Sequence, residues 1–244
     1  MREIVLDTET TGFDPESGDR IVEIGAVELY NHLPTGRTYH QYINPERGMP
    51  DEAFGVHGIG PDLLDPPRPA KPGEVTLRDK PVFASIVDEF LAFVGTGAKL
   101  VIHNAAFDVK FLNAELRWAQ RSILPADIAI DTLDIARRKF PGSPASLDAL
   151  CRRFSIDNTA RTLHGALLDS EILAEVYLEL IGGKQPDFAL GQPGQQKIQD
   201  QGSDEVWRPK PRPQPLPPRV SDSEKAAHAA FVEKLGAEAL WLKA

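Results

Sequence analysis

The chain has 244 residues, one cysteine and a formal net charge of −9. No apolar run approaches the roughly 20 residues that a membrane-spanning helix needs, the N-terminus lacks a signal-peptide pattern, and a lone cysteine excludes an internal disulfide or a cysteine-rich zinc site. We therefore expect a reduced cytoplasmic protein.

The negative charge is concentrated in the first three quarters of the chain. Residues from Lys184 onward carry nine Lys and Arg against eight Asp and Glu, which leaves residues 1–183 with a net charge of −10. Affinity for nucleic acid normally comes from basic surface. Such a domain could still act on nucleic acid if its acids hold metal ions that bridge to phosphate, or if a partner presents the strand.

The apolar pattern predicts three strands followed by alternating strands and helices. The first strands are expected at residues 2–7, 20–30 and 37–44. The later elements are, in chain order, a helix at 82–94, a strand at 99–103, a helix at 106–120, a strand at 129–132, and helices at 131–139, 146–154 and 166–181. The Pro-rich residues 66–81 are expected to form an exposed loop. This order predicts an α/β fold with a mixed sheet covered by helices.

Composition changes abruptly near residues 182–183. Beyond them the chain is rich in Pro, Gln and Gly and cannot bury enough apolar surface to fold alone. We therefore assign 1–181 to one domain, 182–220 to a flexible linker and 221–244 to a terminal segment.

Two acids stand at the end of the first strand, in Asp7-Thr8-Glu9. Alternate residues of a strand share a face, so both carboxylates can enter one site. A cation between them would offset the cost of placing them together, and oxygen ligands select magnesium or manganese. Taken alone, the motif could equally be a solvated turn.

Two further acids begin helices. Asp108 follows an apolar strand, with Asn104 as a candidate N-cap, and could simply serve the helix dipole. Asp169 lies in the first turn of the last predicted helix of the domain, and His164 in the loop before it can converge on it.

Together the four acids and the histidine suit one reaction. Four carboxylates fit a two-metal site that stabilises both oxygens of an in-line displacement. A neutral histidine can take a proton from the attacking water near neutral pH. Phosphodiester hydrolysis needs both parts.

Longer strings extend this pattern into a resemblance. They are Ile4–Gly12, Ile24–Glu28, Glu52–Gly58, Leu100–Asp108, Ser146–Cys151 and Arg161–Asp169. In this order they resemble the proofreading epsilon subunits of bacterial DNA polymerase III, within the exonuclease superfamily named for three Asp, one Glu and a histidine. The resemblance covers residues 1–183, and the longer Pro-rich loop at 66–81 departs from it.

The resemblance implies a ribonuclease-H-like fold with a five-stranded sheet and 3′→5′ exonuclease activity on DNA at the replication fork. It implies two Mg²⁺ or Mn²⁺ ions and a role for His164 as general base. The implied metal ligands are Asp7, Glu9, Asp108 and Asp169. The residues expected at the terminal nucleotide, besides Asp7, Glu9 and Asp169, are Thr10, Glu52, Val56, His57 and Phe107. Val56 and Phe107 could instead be plain core residues.

Two other functions share these features. An RNA-directed exonuclease of the same superfamily, such as an oligoribonuclease, would carry the same five catalytic residues, but it would need neither the long tail nor the string around Val56 and His57. A non-catalytic adaptor would be free to lose a metal ligand, and none of the five residues is missing.

The tail contains two candidate partner sites. Gln185, Phe188 and Leu190 resemble the short Gln-initiated peptides that bind sliding clamps. Ser221–Glu224 is a capping-box pattern that predicts a helix start, with Gly236 as a stop. The segment after this helix start carries four large apolar residues: Phe231, Leu235, Leu240 and Trp241. They are expected to bind the polymerase alpha subunit or, alternatively, to fold back onto the domain. A small accessory subunit is a further possible partner.

Overall fold

A computed structural model of the protein describes residues 1–125, 127–159, 163–182 and 220–235. Five strands form one sheet in the order β3-β2-β1-β4-β5. They are β1 (Arg2–Thr10), β2 (Ile21–Tyr30), β3 (Leu33–Tyr42), β4 (Lys99–Ile102) and β5 (Ala129–Asp131). The first three pair antiparallel, while β4 lies parallel to both β1 and β5. The predicted mixed five-stranded sheet is confirmed.

Helices cover both faces of this sheet. They are α1 (Asp51–His57), α2 (Phe83–Val94), α3 (Ala105–Trp118), α4 (Thr132–Lys139), α5 (Leu147–Phe154) and α6 (Ala166–Leu180). Alternation along β1 sends Ile4 and Leu6 into one apolar cluster with α2 and α3. Val5 enters a second cluster with α4, α5 and α6. Burial on both faces explains the nearly continuous apolar run of β1.

Two strand boundaries differ from the sequence prediction by three residues or more. β1 continues to Thr10, three residues beyond its expected end, so Glu9 belongs to the strand itself. β3 begins at Leu33 because only two residues, Asn31 and His32, turn the chain after β2. Both have positive φ, 49° and 67°, as a tight hairpin turn of this hand requires.

The Pro-rich segment is less exposed than the sequence predicts. Leu77 is fully buried and belongs to a small apolar cluster with Val22, Met49 and Ile59. The Asp62 carboxylate accepts a hydrogen bond from the Leu77 amide at 3.0 Å. The expectation of an exposed loop is therefore wrong for this part of 66–81, which is anchored by an apolar side chain.

The chain divides into two compact units, Met1–Leu190 and Gly191–Ala244. In the second unit, α7 (Asp222–Lys234) begins with the predicted capping box, formed by Ser221 and Glu224. Phe231 on this helix and Leu235, its C-cap residue, are 58% and 47% exposed. The other predicted contacts of the tail lie outside the described residues: Gln185, Phe188, Leu190, Gly236, Leu240 and Trp241. Among the described residues, no helix is both long and apolar enough to span a membrane.

Candidate active site

The end of β1 carries the first two acids into a groove of about 700 Å³. Asp7 pairs across the sheet with Gly25, and Glu9 pairs with Glu23. Side chains of directly opposed residues share a face of the sheet. Because Gly25 has no side chain, space remains beside Asp7 for another element to approach.

The first turn of α6 takes this space. A Cβ atom added to Gly25 would lie only 2.1 Å from the backbone of Ala166 and Leu167. The Ser170 hydroxyl donates to the Gly25 carbonyl at 2.9 Å, and the Ala166 amide donates to the Glu23 carboxylate at 3.0 Å. Glu23 thus supplies the cap that Gly165, the N-cap residue of α6, cannot provide.

The packing of α6 brings Asp169 and His164 to the acids of β1. The His164 Nδ1 atom lies 3.4 Å from Oδ2 of the nearly fully buried Asp169. Ligand atoms of Glu9, His164 and Asp169 all lie within 4.8 Å of one another. His164 itself stays half exposed, as its place in the loop before the helix suggests.

Asp108 completes the set from the first turn of α3. Since β1 and β4 run parallel, their carboxyl ends meet at one edge of the sheet and bring Asp108 to Thr8. The Thr8 hydroxyl donates to Asp108 Oδ1 at 2.7 Å. Burial nevertheless raises the pKa of Asp108 to about 7, with a smaller contribution from the charge of Asp131. A cation bound beside a carboxyl in this position would lower its pKa and favour its ionised form.

The start of α3 is capped differently from the sequence prediction. Asn104 is the N-cap residue, but it has φ 68° and its side chain makes no capping bond. Instead, the Asp131 carboxylate at the end of β5 accepts hydrogen bonds from the amides of Asn104 and Ala105, at 3.1 and 3.0 Å. The helix that presents Asp108 is therefore fixed by a neighbouring strand.

The structure brings five predicted catalytic residues to the same groove, which is lined by Asp7, Glu9, Asp108, His164 and Asp169. Their oxygen-rich donor set, with one buried carboxyl of raised pKa, fits a divalent cation.

The predicted nucleotide-pocket residues are more dispersed. Phe107 lines the groove of the five catalytic residues. Val56, 46% exposed, instead lines an adjoining cavity together with His164. The Val56 carbonyl accepts a hydrogen bond from the His164 amide at 3.2 Å, which couples α1 to the histidine loop. The alternative that Val56 is a core residue is excluded by its exposure.

Thr10, Glu52 and His57 do not line either space. The Thr10 hydroxyl donates to the Gly12 carbonyl at 2.6 Å. Glu52 is exposed on α1. His57 is buried, its Nδ1 atom accepts from the Ile59 amide at 3.0 Å, and burial lowers its pKa to about 4, so the imidazole is neutral.

Several groove residues were not predicted from the sequence. They are Thr8, His103, Asn104, Leu133, Arg137, Ser143, Ala145, Ser146, Leu147 and Asp148. Leu133 and Arg137 are four residues apart on α4, a spacing that puts them on one helix face. That spacing was visible in the sequence, but the direction of the face depends on how α4 packs.

Comparisons with known proteins agree with this geometry. A family model described as an exonuclease matches residues 4–177. The chain is 53% identical over 193 residues to the DNA polymerase III subunit epsilon of Rickettsia felis, covering 78% of each chain. It is 45% identical over 253 residues to the same subunit of Escherichia coli K12, covering 98% of this chain and 97% of that one.

Solved structures share the fold at lower identity. The nuclease domain of 3′hExo, a DEDDh family member bound to rAMP, superimposes with a TM-score of 0.58 at 22% identity, covering 75% of this chain and 92% of that one. Exonuclease X in complex with 5′ overhanging duplex DNA gives 0.53 at 24% identity, covering 74% and 91%.

Proposed function

Because the chain belongs to the exonuclease family and, within it, to the DNA polymerase III epsilon subunits, we propose that its groove removes mispaired nucleotides from the 3′ end of DNA during replication. The observation that carries this proposal is the convergence of four carboxylates and one histidine from β1, α3 and the start of α6 on one groove. The name of its relatives supports DNA as the substrate.

The enzyme depends on a divalent metal, and we propose two Mg²⁺ or Mn²⁺ ions held by Asp7, Glu9, Asp108 and Asp169. Bound in this way, such ions stabilise negative charge on the attacking and leaving oxygens of phosphoryl transfer. The buried position of Asp108 and Asp169 keeps water away from their oxygens and favours ligation over solvation. The Thr8 hydroxyl orients one oxygen of Asp108 by donating a hydrogen bond to it.

His164 is proposed as the general base. Its Nδ1 atom faces Asp169, so an Nδ1 proton would be shared with that carboxylate and Nε2 would accept the proton of the attacking water. Attack of this water on the terminal phosphorus breaks the bond to the 3′ oxygen of the preceding nucleotide. A nucleoside 5′-monophosphate leaves, and the strand retains a 3′ hydroxyl.

The substrate assignment can be tested with three end-labelled substrates, each with and without magnesium: single-stranded DNA, a terminally mismatched duplex and RNA. We expect metal-dependent shortening of both DNAs, since nucleotides must be unpaired to reach a recessed site and both DNAs present an unpaired 3′ end. Faster digestion of RNA than of DNA would instead favour the oligoribonuclease-like alternative.

The second part of the proposal concerns the polymerase. The similarity to the E. coli subunit extends over 98% of the chain and so includes the tail. Phe231 in α7 and Leu235 at its C-cap expose apolar surface, and a helix of about 13 residues is marginal by itself in water. We assign 221–244, with Leu240 and Trp241, to binding the alpha subunit in the cytoplasm.

Tethering by 221–244 would also explain how a domain with a net negative charge acts on DNA. The polymerase would deliver the strand at high effective concentration, so the domain would need little intrinsic affinity for it. Deleting these residues should abolish co-elution with the alpha subunit while single-stranded DNA is still degraded at the normal rate. Retained co-elution would contradict the assignment, and would leave the alternative that the tail folds back onto the domain.

The third part concerns residues 182–220 as a linker that carries a sliding-clamp motif. Gln185 would be the polar anchor, and Phe188 and Leu190 the apolar ones. Replacing both apolar anchors with Ala should weaken clamp binding in a titration without changing activity on free DNA. Unchanged clamp affinity would remove this part of the proposal and leave the others intact.

A further inference from the structure

Among the described residues, a few arginines of the acidic exonuclease domain form no ion pair with an Asp or Glu. The structure describes twelve arginines within 1–125, 127–159 and 163–182, and seven of them pair with Asp or Glu, among them Arg20 with the buried Glu115 at 2.8 Å. Among those without an ion pair to a described residue are Arg137 and Arg138, at the end of α4. In a domain with this excess of acids, a guanidinium that has no acidic partner in the described part of the chain is available to bind an anion from a ligand.

Arg137 and Arg138 differ in whether they line the catalytic groove. Arg137 lines the catalytic groove with Asp7, Glu9 and Asp108, whereas Arg138 does not line it. The positive charge of Arg137 also reaches His103, whose pKa is lowered first by burial and to a smaller extent by this charge.

The surroundings of Arg137 in the groove are suited to an anion. Ser143 and Ser146 line the same groove and offer hydroxyl donors. Asp148, another acid that lines the groove, accepts a hydrogen bond from the Asn158 side-chain amide at 3.0 Å and is therefore already engaged. A guanidinium with two hydroxyls beside it matches the oxygens of a phosphodiester.

We propose that Arg137 binds a phosphate of the DNA strand upstream of the scissile bond, and so sets the path along which the strand leaves the catalytic carboxylates. This inference rests on the proposed function, since it takes DNA as the substrate. It accounts for strand binding by a domain of net charge −10 without requiring a broad basic surface: one positive group is placed where the strand must pass.

The test compares Arg137→Ala with Arg138→Ala, two variants with the same loss of charge on neighbouring exposed positions. Each is assayed on oligothymidylate and on the p-nitrophenyl ester of thymidine 5′-monophosphate, which has a single phosphodiester and no upstream phosphate. Arg137→Ala should raise KM for oligothymidylate about tenfold, the size of one charge-assisted hydrogen bond. The salt dependence of strand binding should become shallower by about 0.7 in log–log slope.

The same variant should hydrolyse the p-nitrophenyl ester at the wild-type rate, and Arg138→Ala should behave like wild type on both substrates. An equal KM increase in both variants would reduce the effect to net charge and overturn the proposal. An equal loss on the ester would assign Arg137 to the chemistry instead. If the wild-type protein fails to cut oligothymidylate at all, the proposed function has failed, an outcome distinct from either of these.

Discussion

A single methyl group at Gly25 should disable the site from a position that touches no substrate. In Gly25→Ala the added Cβ would lie 2.1 Å from the backbone carbonyl carbon of Ala166, whereas ordinary contacts begin at 3.4 Å. Both neighbours are backbone, so β2 and the first turn of α6 must separate by about 1 Å. Overpacking of this kind costs about 1–3 kcal/mol of stability.

The larger effect should be on catalysis. The displaced turn carries Asp169 and follows His164, and a misplacement of about 1 Å can cost about 100-fold in rate. We expect kcat on single-stranded DNA to fall by that order and Mn²⁺ affinity to weaken in a calorimetric titration.

Gly48→Ala is the matched control, because its Cβ would meet only the Leu63 carbonyl at 3.5 Å. Its stability in urea and its kcat should stay close to wild type. A Gly25→Ala enzyme with wild-type kcat and wild-type unfolding midpoint would refute the argument that the close approach of α6 to β2 positions the site.

Two further predictions concern titratable groups. His164→Ala should bind Mn²⁺ with near wild-type affinity yet lose about 10²–10⁴-fold in kcat, as expected for a general base, and an unchanged kcat in a stopped assay would contradict that role. For Asp108, burial raises the folded-state pKa to about 7, so the metal-free protein is stabilised by the protonated form and loses that stability as pH rises from about 4 to about 7. In EDTA, Asp108→Asn should therefore gain stability over wild type at pH 8 but not at pH 4, as measured by urea unfolding; equal differences at both pH values would argue against the buried, protonated carboxyl.

Much of the fold follows from apolar spacing because its elements bury one face or both. The boundaries of α2, α5 and α6 lie within one residue of those predicted from sequence. α1 (Asp51–His57) was missed for a local reason: it has no side-chain cap at Pro50 and contains Gly55, so neither a start signal nor a strong propensity marks it.

The site shows the same division between local and tertiary information. Asp7 and Glu9 share a face because of strand geometry alone, which a sequence can reveal. The contributions of Glu23 and Asp131, which cap helices far along the chain, depend on pairings between elements. The side-chain cap predicted for Asn104 is wrong for two reasons. The Asp131 carboxylate accepts hydrogen bonds from the amides of Asn104 and Ala105, and Asn104 itself adopts a left-handed conformation.

The most direct measurement of the central claim follows a 5′-labelled single-stranded DNA on a sequencing gel with wild-type protein and with Asp7→Ala, each in magnesium and in EDTA. The account predicts a ladder that shortens from the 3′ end only for the wild-type protein in magnesium. Digestion by Asp7→Ala at a near wild-type rate, or by the wild-type protein in EDTA, would contradict a catalytic centre built from these carboxylates and a divalent metal.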